Sequence, residues 1–197
     1  MKRSYAKFGL LLIVLLQACM PIKEIYYVPY GKGEIASRVG PNNVLTLVID
    51  SKVIFDVCLH SDYGAGEFNG ISLTAIFRVP DGVNIKLETG QFVLESESLT
   101  KPLIFNAHEF ESYNQNTGKY VKYQISDTLH GYSIERRNLF FKETTHAWYR
   151  ISLPIEQNDL SEITVKFPDV VIDGQLFRIS PVKFERQVDT FWYSINR

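Results

Sequence analysis

The sequence predicts an all-β protein built as an antiparallel β-sandwich. Three observations lead there. From Val44 onward apolar residues recur with a period of two. Turn-forming residues punctuate the chain at short intervals. No stretch beyond the first 18 residues keeps a helical period, although Tyr132–Glu143 leaves room for a helical turn or two.

The strands can be read in order. Leu45, Leu47 and Ile49 alternate with Val44, Thr46 and Val48. Val53, Phe55, Val57 and Leu59 alternate with Ile54, Asp56, Cys58 and His60. Ile71, Leu73, Ala75, Phe77 and Val79 alternate with Ser72, Thr74, Ile76 and Arg78, the cleanest half-buried strand of the chain. Residues 120–126, 147–153, 162–167, 175–179, 182–186 and 188–195 repeat the theme. Pro80-Asp81-Gly82 is a strong turn signal, because proline presets φ and glycine tolerates positive φ. Asp173-Gly174 fits a two-residue type I′ hairpin, whose central residues both need positive φ. The packing expected is immunoglobulin-like only in general terms, since the Cys…Trp…Cys signature is absent. A closed β-barrel is the alternative.

The N-terminus is different. Lys2, Arg3 and Lys7 precede an apolar run from Phe8 to Leu16, and Leu16-Gln17-Ala18-Cys19 closes it. The run is far short of the about 20 residues that span a bilayer. The layout resembles a bacterial lipoprotein signal with its lipobox. The resemblance implies cleavage before Cys19 and lipidation, palmitate included, on that cysteine. Two or three acyl chains would hold the protein on a membrane, where one binds only marginally. Met20 stands where an Asp favours inner-membrane retention in enterobacterial lipoproteins, so the resemblance implies an outer-membrane anchor facing the periplasm. The expected organisation is signal peptide 1–18, lipidated N-terminus and tether 19–41, and a β-sandwich domain over 42–197. Lys23–Tyr30 is aromatic for a free linker and reads as tether or edge strand.

Composition bounds the function. The full chain has 197 residues, with 21 basic and 22 acidic side chains. Removing the first 18 residues leaves 179 residues and a net charge of −4. That balance excludes a nucleic-acid-binding surface and a polybasic membrane patch. There are 11 tyrosines and 13 phenylalanines, ample for a core, but only two cysteines. With Cys19 lipidated, Cys58 has no partner in the chain, so packing and sheet hydrogen bonds must supply stability.

Few residues suggest chemistry. Asp56, Cys58 and His60 share a strand face, but neighbours two residues apart sit about 6.5–7 Å apart, beyond the reach of a nucleophile and its base without a bulge or long side-chain reach. As a zinc pair, Cys58 and His60 would need two further ligands. His108, His130 and His146 lack ligand spacing, and no catalytic motif is present. No catalytic residue, metal site or cofactor is therefore assigned. The segment Ser61–Gly70 (SDYGAGEFNG) reads as a loop, with Tyr63, Gly64, Gly66 and Phe68 as candidate partner contacts. Aromatics also fall on polar-looking strand faces. Tyr120 alternates with Lys122 and Gln124, Trp148 with Arg150 and Ser152, and Phe191 and Tyr193 flank Trp192. The leading expectation is a non-enzymatic module, lipid-anchored at Cys19, that contacts another envelope protein and no nucleic acid. A carbohydrate or cell-wall binding module is the second expectation, and a hydrolase whose site is assembled from distant residues the third.

Overall fold

The computed structural model describes residues 21–31, 34–39, 42–64, 67–114, 118–137, 142–157 and 160–192. Residues 1–18, expected as a signal peptide, Cys19 and Gly66 lie outside these residues. Among the described residues seventeen strands follow one another. The first six are β1 (Pro21–Tyr30), β2 (Glu34–Val39), β3 (Asn42–Ile49), β4 (Val53–Gly64), β5 (Glu67–Val79) and β6 (Asn84–Leu87). Then come β7 (Gln91–Glu95), β8 (Leu103–Asn106), β9 (Glu109–Asn114), β10 (Lys119–Gln124), β11 (Leu129–His130) and β12 (Ser133–Arg137). The last five are β13 (Lys142–Ile155), β14 (Glu162–Lys166), β15 (Val170–Ile172), β16 (Gln175–Phe177) and β17 (Val182–Trp192).

The all-β antiparallel sandwich expected from the period-two pattern is what forms, in three sheets. The largest has the order β10-β9-β13-β5-β4-β3-β2, with β12 paired to β13. A five-stranded sheet has the order β1-β17-β14-β7-β8, and a four-stranded one β11-β6-β15-β16. None closes on itself, which removes the barrel alternative.

Two compact units divide the chain. The larger is Tyr26–Arg186. Its core takes every second residue of the long strands: Phe55, Val57 and Leu59 of β4, Leu73, Ala75 and Phe77 of β5, and Tyr149 and Ile151 of β13 are all buried. Phe92, Leu94, Ile163, Val165 and Phe184 answer from the five-stranded sheet. Phe55 links the two sets, tilted against Phe77 at 4.7 Å and edge-on to Phe167 at 5.1 Å. Phe167 in turn meets Phe92 at 6.1 Å. Such tilted and edge-to-face pairs suit the ring quadrupoles. The smaller unit joins residues 1–25 with 187–197; its described strands are the start of β1 and the end of β17.

Turn chemistry sets the register. Asp173 (φ 48°) and Gly174 (φ 86°) make the hairpin expected from their sequence, pairing Ile172 with Gln175. Gly82 (φ 75°) occupies the third position of the Pro80–Val83 turn, closed by the Val83 N–H donating to the Pro80 carbonyl at 3.2 Å.

Three segments differ from the sequence-based reading. Lys23–Tyr30, read as tether or edge strand, belongs to the edge strand β1, and residues 34–39, read as tether, form β2; Tyr27 is fully buried, its hydroxyl donating to the Leu160 carbonyl at 3.0 Å. Aromatic burial thus ties that segment to the folded unit. The Tyr132–Glu143 stretch, read as room for a helical turn, contains β12, paired with β13 from Ser133↔His146 to Arg137↔Lys142. The two segments read at 182–186 and 188–195 are one strand as far as Trp192.

Candidate functional site

The Ser61–Gly70 segment is mostly strand. β4 runs through Tyr63 and Gly64, β5 begins at Glu67, and Tyr63 pairs with Phe68 and Gly64 with Glu67. Asp62 pairs with Gly70, so Asn69 is the extra residue of a bulge, and Gly70 takes φ 139° there. The candidate contacts Tyr63, Gly64 and Phe68 therefore lie on the arms of a tight hairpin, where Tyr63 and Phe68 are cross-strand partners.

Asp56, Cys58 and His60 follow their own logic. Cys58 Sγ and His60 Nε2 are 2.9 Å apart. Their side chains lean together and close the gap that backbone spacing alone leaves. The pair is nonetheless no nucleophile and base. Burial, then the negative charge of Asp56, push the Cys58 thiol up to about 12, so it stays protonated at neutral pH. Asp56 turns to its neighbouring strands and away from a triad. Thr46 of β3 donates to it at 2.7 Å, and Arg78 Nη2 of β5 lies 2.8 Å from Oδ1 and 2.7 Å from Oδ2.

The histidines stay apart. His130 Nδ1 meets the Asn84 side-chain oxygen at 2.6 Å, and His146 sits opposite Ser133. Among the described residues no three His, Cys, Asp or Glu side chains gather as a metal site. A depression of about 260 Å³ is lined by Glu95, Ser96, Glu97, Glu162 and Thr164. Two of its carboxylates already hold cations, Lys166 on Glu95 at 2.6 Å and Lys183 on Glu162 at 2.8 Å.

The side chains that converge are those on the large sheet's second face, away from its buried row. Strand alternation puts Trp148, Arg150 and Ser152 of β13 there, with Glu109, Glu111 and Tyr113 of β9 and Tyr120, Lys122 and Gln124 of β10. Register aligns them: Tyr120 pairs with Tyr113, Lys122 and Arg150 both with Glu111, and Trp148 with Arg78. Tyr120 is 59 % exposed and meets Tyr113 at 5.3 Å (63° between planes) and Trp148 at 6.3 Å (69°). The Arg150 guanidinium lies 5.6 Å from the Tyr120 ring centre while its Nη2 donates to Glu111 at 2.6 Å. Lys122 is ion-paired with Glu109. Farther along the same row Val48 of β3 is 64 % exposed.

This face is thus an aromatic cluster bounded by a row of paired charges. Each ring is held by its neighbour, and Arg150 is shared between a carboxylate and a π-face. The sequence pointed to Tyr120 and Trp148 separately. Tyr113, Glu111 and Arg78 were not joined to them, although Glu109, Glu111 and Tyr113 alternate with Phe110 and Ser112 in the same way. Only strand order makes them one patch. No protein-family model, curated protein or solved structure matches the chain.

Proposed function

We propose that this chain is a lipid-anchored envelope protein whose β-domain binds another envelope protein through the outer face of its large sheet. The observation that carries the reading is the Tyr113–Tyr120–Trp148–Arg150 cluster. Tyrosine, tryptophan and arginine dominate the energetics of protein interfaces, because each covers much area and keeps a polar handle. Ring-on-ring and cation–π contacts already restrain these side chains, which lowers the ordering cost of binding. The anchor part of the reading rests on the lipobox-like Leu16–Cys19 sequence. The Tyr63–Phe68 hairpin is a second contact candidate.

Ring geometry weighs against the carbohydrate reading. A sugar stacks on rings presented flat and side by side, whereas Tyr120 stands 63° from Tyr113 and 69° from Trp148. Tilted rings form a knobbed surface better suited to side chains of a protein partner.

The test is crosslinking in cells followed by mild-detergent pull-down of the native protein, a Cys19→Ser form and a Tyr120→Ala/Trp148→Ala form. The expected result is one envelope protein recovered with the native chain. It is lost from Cys19→Ser, and also from the double variant, whose thermal unfolding matches the native protein. Recovery of the same partner by the double variant would overturn the assignment of this face. Retention on isolated peptidoglycan, with no protein partner, would replace the reading with the cell-wall one.

A further inference from the structure

We propose that β10 is an acceptor edge: an extended segment of the partner protein adds to it as a further strand, hydrogen-bonded to the main chain of Tyr120 and Lys122 and bringing a carboxylate to Lys119. The proposal rests on the reading that this face binds a protein and names the mode of that binding. It does not depend on the lipid anchor.

The phase of the ladder decides which way the backbone points. In an antiparallel pair, alternate residues direct both N–H and C=O to one neighbour, and the residues between them direct theirs to the other side. The Ile125 N–H donates to the His108 carbonyl at 3.0 Å. These two residues continue the register in which Gln124 faces Glu109 and Tyr123 faces Phe110. Tyr123 and Val121 therefore turn their main-chain groups toward β9. Glu111 agrees, because it bridges to Arg150 on the opposite neighbour, β13, which leaves Phe110 and Ser112 to serve β10. Tyr120, Lys122 and Gln124 then point their groups away from the sheet. Gln124 is already taken: its N–H donates to Asp127 Oδ2 at 2.8 Å, and its carbonyl accepts from the Asp127 N–H at 3.0 Å. Tyr120 and Lys122 remain, and among the described residues β10 pairs with β9 alone. Residues two apart on a strand are about 6.8 Å apart, so these two offer two donors and two acceptors at the spacing a further strand needs.

The side chains show the same missing neighbour. On the core side Phe110 and Ser112 of β9 are buried, but Val121 and Tyr123, one strand farther out, are only half-buried. Apolar residues of an added strand would cover that row. On the outer face Tyr120 is 59 % exposed. Directly opposite residues have Cβ atoms about 4.5–5.5 Å apart, so an apolar side chain placed against Tyr120 joins the aromatic cluster. The other edges are blunted. β1 carries Pro21 and Pro29, β2 is bulged between Ala36 and Val39, and β8, β11 and β16 have four residues or fewer.

Charge selects the occupant. β10 (KYVKYQ) carries two lysines and no acid. A second copy of the same strand would double that positive charge, and edge lysines oppose such self-pairing. An acid-bearing strand is favoured instead, since opposite charges attract across a pair of strands. Lys122 has its counter-ion in Glu109, so the exposed Lys119 is the position for the partner's carboxylate. The segment that fits is extended and free of proline. It is apolar opposite Tyr120, Val121 and Tyr123, and acidic opposite Lys119.

The experiment repeats the crosslinking and pull-down in cells with the full chain carrying Lys122→Pro, and with Lys122→Ala beside it. Proline at 122 deletes an outward N–H and no bond to β9, the position in which edge strands tolerate it. The expected result is that the native chain and Lys122→Ala recover the same envelope protein, Lys122→Pro loses it, and all three unfold at the same temperature. Lys119→Glu, which reverses the charge, recovers less of it; equal recovery would overturn the acidic assignment. Should Lys122→Pro fail to fold, amide exchange of the native chain with and without the recovered protein gives the reading. On binding, the Tyr120 and Lys122 amides become protected, while those of Val121 and Tyr123, already bonded to β9, change little. Recovery of the partner by folded Lys122→Pro, or protection without that alternation, would overturn strand addition. Loss of the same partner from Tyr120→Ala/Trp148→Ala would then leave the binding face standing. A native chain that recovers no envelope protein would overturn both.

Discussion

Cys58 is the only cysteine among the described residues, and it is buried on the second face of β4 with its sulfur against His60. Its thiol stays protonated in the fold far above the ordinary value of 9, up to about 12. Two consequences follow from the sign of that shift. Alkylation by iodoacetamide at neutral pH should be very slow in the native protein and fast in urea, and equal rates would contradict the burial. Stability contributed by the protonated thiol is complete below about pH 9 and falls as pH rises toward 12, because only the unfolded chain releases the proton there. Tyr149 adds to the same trend. Burial raises its hydroxyl, which donates to the His130 carbonyl at 2.6 Å. The sequence placed Cys58 and His60 on one face. It could not say that their side chains meet, because rotamers depend on the neighbours that strand pairing supplies.

Asp56 ties three adjacent strands through side chains alone, with Thr46 on β3 and Arg78 on β5. The Asp56 side chain is only 14 % exposed, so its bonds count for more than those of a surface ion pair. Asp56→Ala should lower stability by about 1–2 kcal/mol in urea denaturation, between an exposed pair and a buried charged hydrogen bond. A change within experimental error would mean that water replaces the carboxylate without loss. The strands around Asp56 were legible because β3, β4 and β5 are long and alternate cleanly. The Asp173-Gly174 turn was legible because positive φ restricts the residues that can serve. Strands such as β6, β8 and β11, of four residues or fewer, were not, since so short a segment carries no period. The Tyr132–Glu143 stretch misled for a related reason: Ser133–Arg137 alternates only weakly and takes its strand form from pairing with β13.

Phe55 connects the large sheet to the five-stranded one through Phe167, and truncating it removes contacts on both sides. Phe55→Ala should cost about 3–5 kcal/mol, as measured by chemical denaturation, the range for a large aromatic in a close-packed interior. A loss below about 1 kcal/mol would mean that the surrounding rings collapse into the gap. Sandwich class was readable from alternation, but three sheets in place of two were not. Sheet membership is decided by long-range pairing: β17 joins β14 and β1, and β6 joins β15 and β11. The outer-face cluster was illegible as a unit for the same reason, since Tyr113, Tyr120 and Trp148 come together only once β9, β10 and β13 have found their order.

The position of β17 also governs timing. It is the last strand among the described residues, yet it lies inside the five-stranded sheet between β1, the first of them, and β14. During synthesis β1 therefore appears well before β17 and waits for it. Until then β1 and β14 each present a bare edge, open to pairing with the wrong chain. Closure of that sheet is a slow, long-range event, because the loop to be closed runs from Tyr30 to Val182. Through that interval β14 lacks one of its two neighbours, and it gains that neighbour only when β17 slots in between it and β1.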